Sequence, residues 1–491
     1  MTTYYVRKSG NDSNNGTSPA TAWLTIGKAL GASGISSGDT VYIGSGIYRE
    51  GITCSLTSPT AETFIIGDVL GQYTGDAPGE VRITNYLTDD KTPPTTQRLV
   101  TATNKDHLTF RNMMFQAGLG GSLASFILFD SCQYLTIEDC AFNLIDFSGN
   151  LADGISIIGD VDEPLHALIN RCIFFTGGIT FVIYISYASR EPTASDVDCD
   201  VVVQNCLMTR SSGGVQLLGA TSEASPYKAG GVIVKNCFLA TSDSPCFSAD
   251  NTSTAIPCEF YNNVALALWN SVAADVVGQI TEDFNILIAQ SPRLNVSTGS
   301  NSISDGSHAV LIHFGQELFN SQYVRPFGVP TITSPLLGFG STGNPPSTDI
   351  WNRPRPAGGQ STLNAVGAYE RHDTGIEDTS IYDSAPSSVK IVGPGDHDFE
   401  LAVNPMPTNI TIMARYDAAH SSGSPPQAQL LANPLIGLTS GSTLTMIEPV
   451  DTWEKLEFPT FEPTGYGVVT LRCISRSSSG SGNAWFDTIT V

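Results

Sequence analysis

The sequence predicts an all-β protein, in which a right-handed parallel β-helix with an N-terminal capping helix is followed by an antiparallel, jelly-roll-like β-sandwich. First, a pattern of short strand, tight turn and second short strand recurs between residues 112 and 285. Second, only 14% of the 491 residues are charged, and 47 Gly and 28 Pro indicate many turns. Third, residues 389–491 hold short alternating segments between Pro, Gly and Ser, as sandwich strands do.

Seven copies of the strand-turn-strand pattern define the coils of the predicted solenoid. Apolar and polar residues alternate in each copy, as a strand with one buried face requires, and a small polar residue marks a bend where Asn tolerates the left-handed conformation. The copies align on Asn112, Asp139, Arg171, Asn205, Asn236, Asn263 and Asn285, which lie 27, 32, 34, 31, 27 and 22 residues apart. Coils of three short strands, stacked by parallel hydrogen bonds, explain this spacing.

A column of cysteines is expected directly after the bend. Cys140, Cys172, Cys206 and Cys237 each follow the turn residue of their copy, so stacked coils place them in one inward ladder. We favour a column of small buried side chains over a metal or redox site, because no two cysteines have CxxC spacing. The ten cysteines are spaced singly and do not indicate a disulfide framework.

Both ends of this region resemble a known family. Within residues 4–50, "YYVRKSGNDSNNGTSPATAWLTIGKAL" and "GDTVYIGSGIYRE" resemble the cap and first coil of the pectate-lyase-like right-handed β-helix superfamily. The resemblance implies a helix over about residues 23–32 that covers the open end of the solenoid. Residues 349–371, "DIWNRPRPAGGQSTLNAVGAYER", resemble the closing segment of many bacterial β-helix proteins, although Asn352 stands where Gly is usual.

Four regions follow from these patterns. They are the cap and first coil at 1–50, the β-helix at 51–371, a polar and acidic linker at 372–388, and the β-sandwich at 389–491. The ending "GNAWFDTITV" resembles the last strand of jelly-roll carbohydrate-binding modules, a motif that many sandwiches share.

The net charge of −23 limits the partners. Neutralising phosphates needs Lys and Arg, of which there are 24 against 47 acids, so no nucleic-acid partner is expected. No run of about 18 apolar residues occurs, so no membrane insertion is expected. Neutral glycans, calcium ions and basic proteins remain compatible. The N-terminus lacks a secretory apolar region, which predicts either release by another route or a signal removed earlier.

Three long connections, at 150–167, 186–200 and 217–231, carry the candidate chemistry. Their carboxylates suit a glycosidase acid with a base or nucleophile, while the resemblance implies a lyase in which Lys or Arg abstracts a proton beside calcium. The catalytic candidates are Asp153, Glu163, Arg190, Asp196, Asp198 and Lys228. Asp196, Asp198 and Asp200 are candidate Ca²⁺ ligands, since Ca²⁺ takes clustered oxygens; no cofactor is required otherwise. The alternative is that these are solvated loop residues.

Three tryptophans are candidate glycan-binding residues, because indole rings can stack on the C–H faces of sugars. They are Trp269, Trp351 and Trp453. For Trp453, and equally for Trp485, a place in the sandwich core or an interface is the alternative.

Three classes of function fit the sequence. The preferred one is a phage tailspike-like protein of the virion surface, a homotrimer that contacts virion proteins and binds host surface glycan, with or without depolymerising it. The second is a secreted, extracellular bacterial polysaccharide lyase or hydrolase with a carbohydrate-binding module. The third is a structural or adhesive β-helix without enzymatic activity. Because one fold hosts many activities, the fold alone does not choose among them.

Overall fold

The computed structural model describes residues 1–87, 98–119, 125–146, 153–159, 165–177, 179–187, 199–211, 213–218, 231–241, 244–251, 258–267, 273–278, 280–283, 285–288, 293–294, 302–305, 375–378, 388–392, 394–403, 408–420, 425–432, 438, 441–461, 467–476 and 482–490.

Three long parallel sheets, here called A, B and C, form the first part of the described chain. Sheet A contains β1 Thr3–Val6, β2 Thr40–Gly44, β5 Thr63–Asp68, β8 Leu108–Arg111, β11 Leu135–Glu138, β14 Leu165–Asn170, β17 Cys199–Gln204, β20 Val232–Lys235, β23 Cys258–Tyr261 and β26 Ile280–Asp283. Sheet B contains β3 Gly46–Arg49, β6 Val81–Thr84, β9 Met114–Leu119, β12 Ala141–Asp146, β15 Ile173–Gly177, β18 Leu207–Ser211, β21 Phe238–Thr241, β24 Val264–Ala267, β27 Ile286–Ile288 and β29 Ile303–Asp305. Sheet C contains β4 Ile52–Cys54, β7 Val100–Thr103, β10 Ser125–Asp130, β13 Asp153–Gly159, β16 Phe181–Tyr187, β19 Gly213–Leu218, β22 Phe247–Asn251, β25 Ala274–Gly278 and β28 Arg293–Leu294.

The chain visits sheets A, B and C in turn and returns to A one coil further along, which is a right-handed parallel β-helix. Strands stack in register, so that Ile137 pairs with Phe110 on one side and Ile169 on the other. Alternate side chains point inward, and this column, with Val203 and Val234, is at most 2% exposed. The predicted β-helix is confirmed.

A two-residue turn joins sheet A to sheet B in seven consecutive coils, from β8–β9 to β26–β27. The first turn residue has φ between 52° and 58° at Asn112, Asp139, Arg171, Asn205, Asn236 and Asn262. The predicted bend is therefore confirmed, but the alignment of the sixth and seventh copies was wrong by one residue. Asn285, on which the seventh copy was aligned, pairs with Asn263 and lies one residue after the turn position. Asn262 occupies the left-handed position, because the register pairs Asn263 with the inward Cys237 instead.

The inward position after this turn holds the predicted cysteine column. The thiols of Cys140, Cys172, Cys206 and Cys237 are fully buried, and each donates to the carbonyl two residues earlier at 3.1–3.4 Å. In the next coil Asn263 takes over, accepting from the Cys237 N–H at 2.9 Å and donating to the Val234 carbonyl at 2.8 Å. The nine cysteines whose side chains are described are all buried and free.

The N-terminal cap contains a helix of one turn, α1 Ile26–Ala29. Thr25 accepts from the Lys28 N–H, and both oxygens of Glu50 accept from the first two N–H groups of α1, at 3.0 and 2.8 Å. The capping helix is confirmed but is shorter than the ten residues predicted. Leu30 is the C-cap and Gly31 follows it, and glycine disfavours continuation of a helix. Ile26 and Ala29 pack into the solenoid core.

The outward faces of sheets A and B differ. On sheet B, the residues that alternate with the inward core column are apolar and at most 4% exposed; we call Ile173, Leu207, Phe238 and Val264 the outer strip of sheet B. At the matching outward position of sheet A, Thr136, Leu168, Val202 and Ile233 are only half-buried, although Thr109 on β8 is 2% exposed. The same alternation thus produces one covered and one open face.

Two antiparallel sheets form the second part of the described chain. One runs in the order β30 Gly375–Asp378, β31 Ser388–Val392, β38 Asn483–Thr490, β33 Thr411–Tyr416 and β36 Glu454–Glu457. The other runs in the order β32 Pro394–Val403, β37 Gly467–Arg476, β34 Gln427–Leu430 and β35 Ser442–Thr445.

These two sheets enclose a core of their own, with Ile412, Leu471 and Phe486 at its centre, which confirms the predicted sandwich. The described residues fall into two compact units, 1–305 and 375–490. β30 lies in the stretch predicted to be a linker and pairs with β31, so the sandwich already includes Gly375–Asp378. Within the described ranges no helix is long and apolar enough to span a membrane.

Candidate functional site

Most of the predicted site residues lie outside the described residues: Glu163, Arg190, Asp196, Asp198, Lys228, Trp269 and Trp351. The described strands nevertheless show which elements the three connections join. They run from β13 to β14, from β16 to β17 and from β19 to β20, always from the end of a sheet C strand to the start of a sheet A strand. One edge of sheet A is therefore common to all three.

Asp153 begins a strand of sheet C, not a loop as predicted. The segment 150–167 resembled an insertion because of its Gly and Asp residues, yet Ile155 and Ile157 of β13 fill the core. The half-buried Asp153 carboxylate accepts from the Phe181 N–H at 3.4 Å. Burial raises the pKa of Asp153 to about 7, against the opposing effect of that N–H. Such a carboxyl can donate or accept a proton at neutral pH.

Three rings form what we call the aromatic stack at the edge where the sheet A strands begin. The ring centroids of His107 and Tyr134 are 4.5 Å apart, and those of Tyr134 and His166 are 5.0 Å apart. Tyr134 is 45% exposed. Asp200 continues the column, with its Oδ2 3.8 Å from His166 Nδ1. Asp200, predicted to bind calcium, thus lies beside a histidine that is charged only when protonated.

The opposite edge of sheet A carries alternating charges, here called the charged ladder. Arg171 contacts both oxygens of Asp139, at 2.6 and 2.8 Å, and Glu138 Oε1 at 2.7 Å. Arg111 contacts Glu138 Oε2 at 2.5 Å. Asn170 donates to Glu138 Oε1 at 2.8 Å. Two cations and two anions therefore neutralise each other along this edge.

The pKa directions in the charged ladder reflect this pairing. Burial is the largest influence on Glu138 and raises its pKa, but Arg171, Asn170 and Arg111 together outweigh burial, so the pKa lies below its ordinary value. Burial is also the largest influence on Arg171 and lowers its pKa. Asp139 and Glu138 together outweigh burial, so the pKa of Arg171 lies above its ordinary value. Both groups are charged across the physiological range.

A further cation lies on the same face at β20. The Lys235 ammonium is 5.9 Å from the ring centroid of Tyr261 on the next strand. Burial lowers the pKa of Lys235, against Glu259 and Asp200, which raise it. Burial, with Glu259, raises the pKa of Tyr261 to about 12. The sequence prediction placed the candidate lysine at Lys228 and missed this one.

The open floor between the two edges has the dimensions of a shallow binding face. Tyr134 and Asp139 are five residues apart, which at about 3.3 Å per residue gives a width of about 17 Å. Thr136, Leu168 and Val202 form the floor and are half-buried. Aromatic rings on one side and paired polar groups on the other can bind a flat molecule with both C–H and hydroxyl surfaces.

Sequence reasoning overlooked the aromatic stack, because its members do not share one residue type. The signal was present in the aligned copies. His107, Tyr134, His166 and Asp200 each lie five residues before a turn residue, namely Asn112, Asp139, Arg171 and Asn205.

In the sandwich, Trp485 is 2% exposed, and Lys390 Nζ and Arg415 Cζ lie 5.5 and 5.7 Å from its ring centroid. Core burial, the alternative given for Trp485, is thus observed. Trp453 is half-buried just before β36, and its role in glycan binding stays a prediction.

A calcium site also stays a prediction. In the part of the chain that the structure describes, no three His, Cys, Asp or Glu side chains are placed to hold one metal ion. Two of the three predicted ligands, Asp196 and Asp198, lie outside that part.

Solved structures similar to this chain include three with carbohydrate-related or phage names. A lacto-N-biosidase from Eubacterium ramulus is 12% identical over 62% of this chain and 67% of its own, with a TM-score of 0.31. The enzymatically active domain of tailspike protein 4 of bacteriophage CBA120 is 10% identical over 94% of this chain and 65% of its own, with a TM-score of 0.19. A family 16 carbohydrate-binding module is 16% identical over 24% of this chain and 84% of its own, with a TM-score of 0.19. At these values the likenesses carry no argument about function. No protein-family model and no curated protein matches the sequence.

Proposed function

We propose that the protein binds polysaccharide along the outer face of sheet A. The observation that carries this is the aromatic stack, whose Tyr134 is 45% exposed beside a half-buried floor of Thr136 and Leu168. His107 and His166 stack on the two faces of Tyr134, so a sugar would contact the exposed edge and hydroxyl of this ring, while polar groups at the opposite edge of sheet A form hydrogen bonds with the sugar hydroxyls.

A neutral glycan fits this face better than a polyanion. The chain has a net charge of −23, which repels anions over the distances that salt leaves unscreened. The guanidinium groups of Arg111 and Arg171 are already paired with Glu138 and Asp139. Recognition therefore depends on ring contacts and hydroxyl hydrogen bonds.

Calorimetric titration with xylan, dextran, galactomannan, alginate and polygalacturonate tests the proposal. The neutral polymers are expected to bind, and Tyr134→Ala is expected to weaken that binding about fivefold, since an aromatic contact contributes about 1 kcal/mol. Tyr184→Ala is the matched control, because Tyr184 is a half-buried tyrosine on sheet C. Absence of binding by all five polymers, or equal losses for the two variants, contradicts the proposal.

We further propose that the binding protein is a homotrimeric appendage of the virion surface, of tailspike type. The free, buried thiols support this, because stacked cysteines on adjacent coils are compatible with folding in a reducing cytoplasm, where phage proteins assemble. Light scattering should give a mass near three times 52.1 kDa. A monomeric mass would contradict the proposal of a virion appendage. The remaining proposals would then be a secreted or an adhesive glycan-binding protein.

Depolymerisation is a second candidate function, and Asp153 is its carboxyl candidate, although it begins a strand of sheet C and does not lie on sheet A; burial raises its pKa to about 7. A carboxyl poised near neutral pH suits the acid of a glycosidase, and that reaction needs a second carboxyl group. Asp153→Asn should abolish release of reducing ends from a bound polymer while leaving the binding constant unchanged. Unsaturated products that vanish on adding a calcium chelator would indicate a lyase instead.

A further inference from the structure

Three tyrosines lie together at the N-terminal end of sheet A, far from the aromatic stack; we call them the tyrosine cluster. The rings of Tyr42 and Tyr73 stack with centroids 3.9 Å apart and an interplanar angle of 4°. Tyr5 lies 6.4 Å from Tyr42, centroid to centroid. Tyr73 is 51% exposed, so the edge of sheet A here also ends in an accessible ring.

The loop that carries Tyr73, residues 68–76, is held in one shape by its own side chains. Asp68 accepts from the N–H groups of Gln72, Tyr73 and Thr74, at 3.0, 2.8 and 2.7 Å. Asp76, at the other end, accepts from Arg7 Nε at 2.8 Å. A ring fixed in this way loses little conformational entropy on binding a ligand.

Glycine is needed in that loop. Gly71 has a φ of 66°, and a Cβ added there would collide with the Asp76 carbonyl. Leu70, in the same loop, is 47% exposed as well. A preorganised loop that exposes a stacked ring is the arrangement that rigid aromatic anchors take at binding surfaces.

The positions of the two aromatic groups set a length for the ligand. From β2 to β11 there are three strand steps on sheet A, and the residue of β2's coil that aligns with Tyr134 is Gly38, four residues before Tyr42. At about 4.8 Å per step and about 3.3 Å per residue, the separation is about 19 Å. That exceeds the size of one sugar ring.

We infer that the tyrosine cluster is a second sugar-binding subsite, at which a sugar stacks on the Tyr73 ring, and that the ligand is a neutral oligosaccharide long enough to reach from Tyr73 to Tyr134 across sheet A. This rests on the proposed function of the same face. Binding should therefore strengthen with chain length until both subsites are filled, as expected when two contacts are linked in one ligand.

The experiment is calorimetry with cellohexaose and xylohexaose, beside glucose and xylose, on the full chain. Tyr73→Ala should weaken hexasaccharide binding about tenfold, a change of about 1.4 kcal/mol, and leave the monosaccharides unaffected at the Tyr134 subsite. Tyr73→Phe should bind as the native chain does. Tyr73→Leu should behave as Tyr73→Ala, because it keeps an apolar side chain but not a planar ring.

Leu70→Ala is the matched control in the same loop. If Leu70→Ala and Tyr73→Ala weaken hexasaccharide binding equally, or if Tyr73→Ala changes only the mass of the assembly, the loop is a protein contact and the inference is wrong. If the hexasaccharides bind, depend on Tyr134 and ignore Tyr73, the inference fails while the proposed function stands. If neither saccharide binds the native chain or either variant, the proposed function fails with it.

Discussion

The outer faces of sheets A and B belong to the same coils and obey the same alternation, but they differ in what they leave accessible. Leu207 on sheet B is 1% exposed, whereas Leu168 at the outward position of sheet A is half-buried. The first kind of face contributes to stability, since covering an apolar side chain is favourable by about 25 cal/mol per Å². The second kind is available to a ligand. Strand register therefore fixes the direction of a side chain, and only long-range packing fixes its role.

Truncating one leucine on each face should give the largest difference in the free energy of unfolding. Leu207→Ala should lower the free energy of unfolding by about 3–5 kcal/mol, because it leaves a cavity in a covered site. Leu168→Ala should cost about 1 kcal/mol, since its side chain is already partly hydrated. Urea denaturation followed by circular dichroism measures both. Equal costs would mean that the two faces do not differ in packing.

Removing Arg171, one of the two cations of the charged ladder, tests how much the ion pairs at this edge of sheet A stabilise the protein. Arg171→Met leaves Glu138 and Asp139 facing each other without their shared partner, and should cost about 2–3 kcal/mol, somewhat less than a fully buried pair. The double variant with Glu138→Gln should recover part of that loss.

The pH dependence of the ladder has a definite sign. Because the folded-state pKa of Glu138 is depressed, its stabilisation is present above the unfolded pKa and is lost as the pH falls through the folded value. Arg171→Met should reduce that acid sensitivity, since Arg111 and Asn170 still contact Glu138. A native chain whose urea midpoint does not change between neutral and acid pH would contradict the prediction.

Asp153 is a partly buried carboxyl on the third sheet, sheet C, and it predicts a pH dependence of the opposite sign. Its folded pKa is raised to about 7, so the stability that goes with the protonated carboxyl is present in acid and is lost as the pH rises through about 7. Asp153→Asn should therefore stabilise the protein at pH about 8, by about 2 kcal/mol after allowing for partial exposure. The urea midpoints of the native chain and of Asp153→Asn are measured in acid and at pH about 8. If the two proteins differ by the same amount at both pH values, the prediction is contradicted.

The smallest effect is expected at the turn that both faces share. Asn263 already occupies the cysteine position in its coil, donating to the Val234 carbonyl at 2.8 Å. Cys237→Asn should therefore be tolerated to within about 1 kcal/mol, because the Val203 carbonyl, 3.6 Å from the Cys237 thiol, offers the same acceptor. Loss of the thermal transition in this variant would show that the column depends on sulfur.

Much of the fold could be predicted from the sequence because the A–B turn repeats with constant length and needs one left-handed residue. The prediction failed at Asn262 and Asn263, because either asparagine could occupy the left-handed turn position and only the strand register shows which one does. Helix α1 was predicted too long because its bounds were taken from the family resemblance, which does not show that the helix ends before Leu30 and Gly31. β30 was taken for linker because its acidic residues form an edge strand, where polar side chains are common.

Less of the candidate site could be predicted. The sequence directed attention to loop carboxylates, of which Asp153 proved to be a strand residue with a raised pKa and Asp200 a neighbour of His166. The aromatic stack was missed because its members share no residue type, only a distance of five from the turn. The outer strip of sheet B could not be told from the inner column, since both read as alternate apolar positions.

The constant turn between sheets A and B has a consequence for how such a molecule can change. Connections from sheet C to sheet A vary from residues 131–134 to 188–198 and 219–231, while the other corner keeps two residues in seven coils. Because each coil contacts only its neighbours, a segment at the variable corner can be exchanged without shifting the stack beneath it. Ligand preference could then change through replacement of one connection at a time, while the turns at Asn112 and its equivalents stay the same.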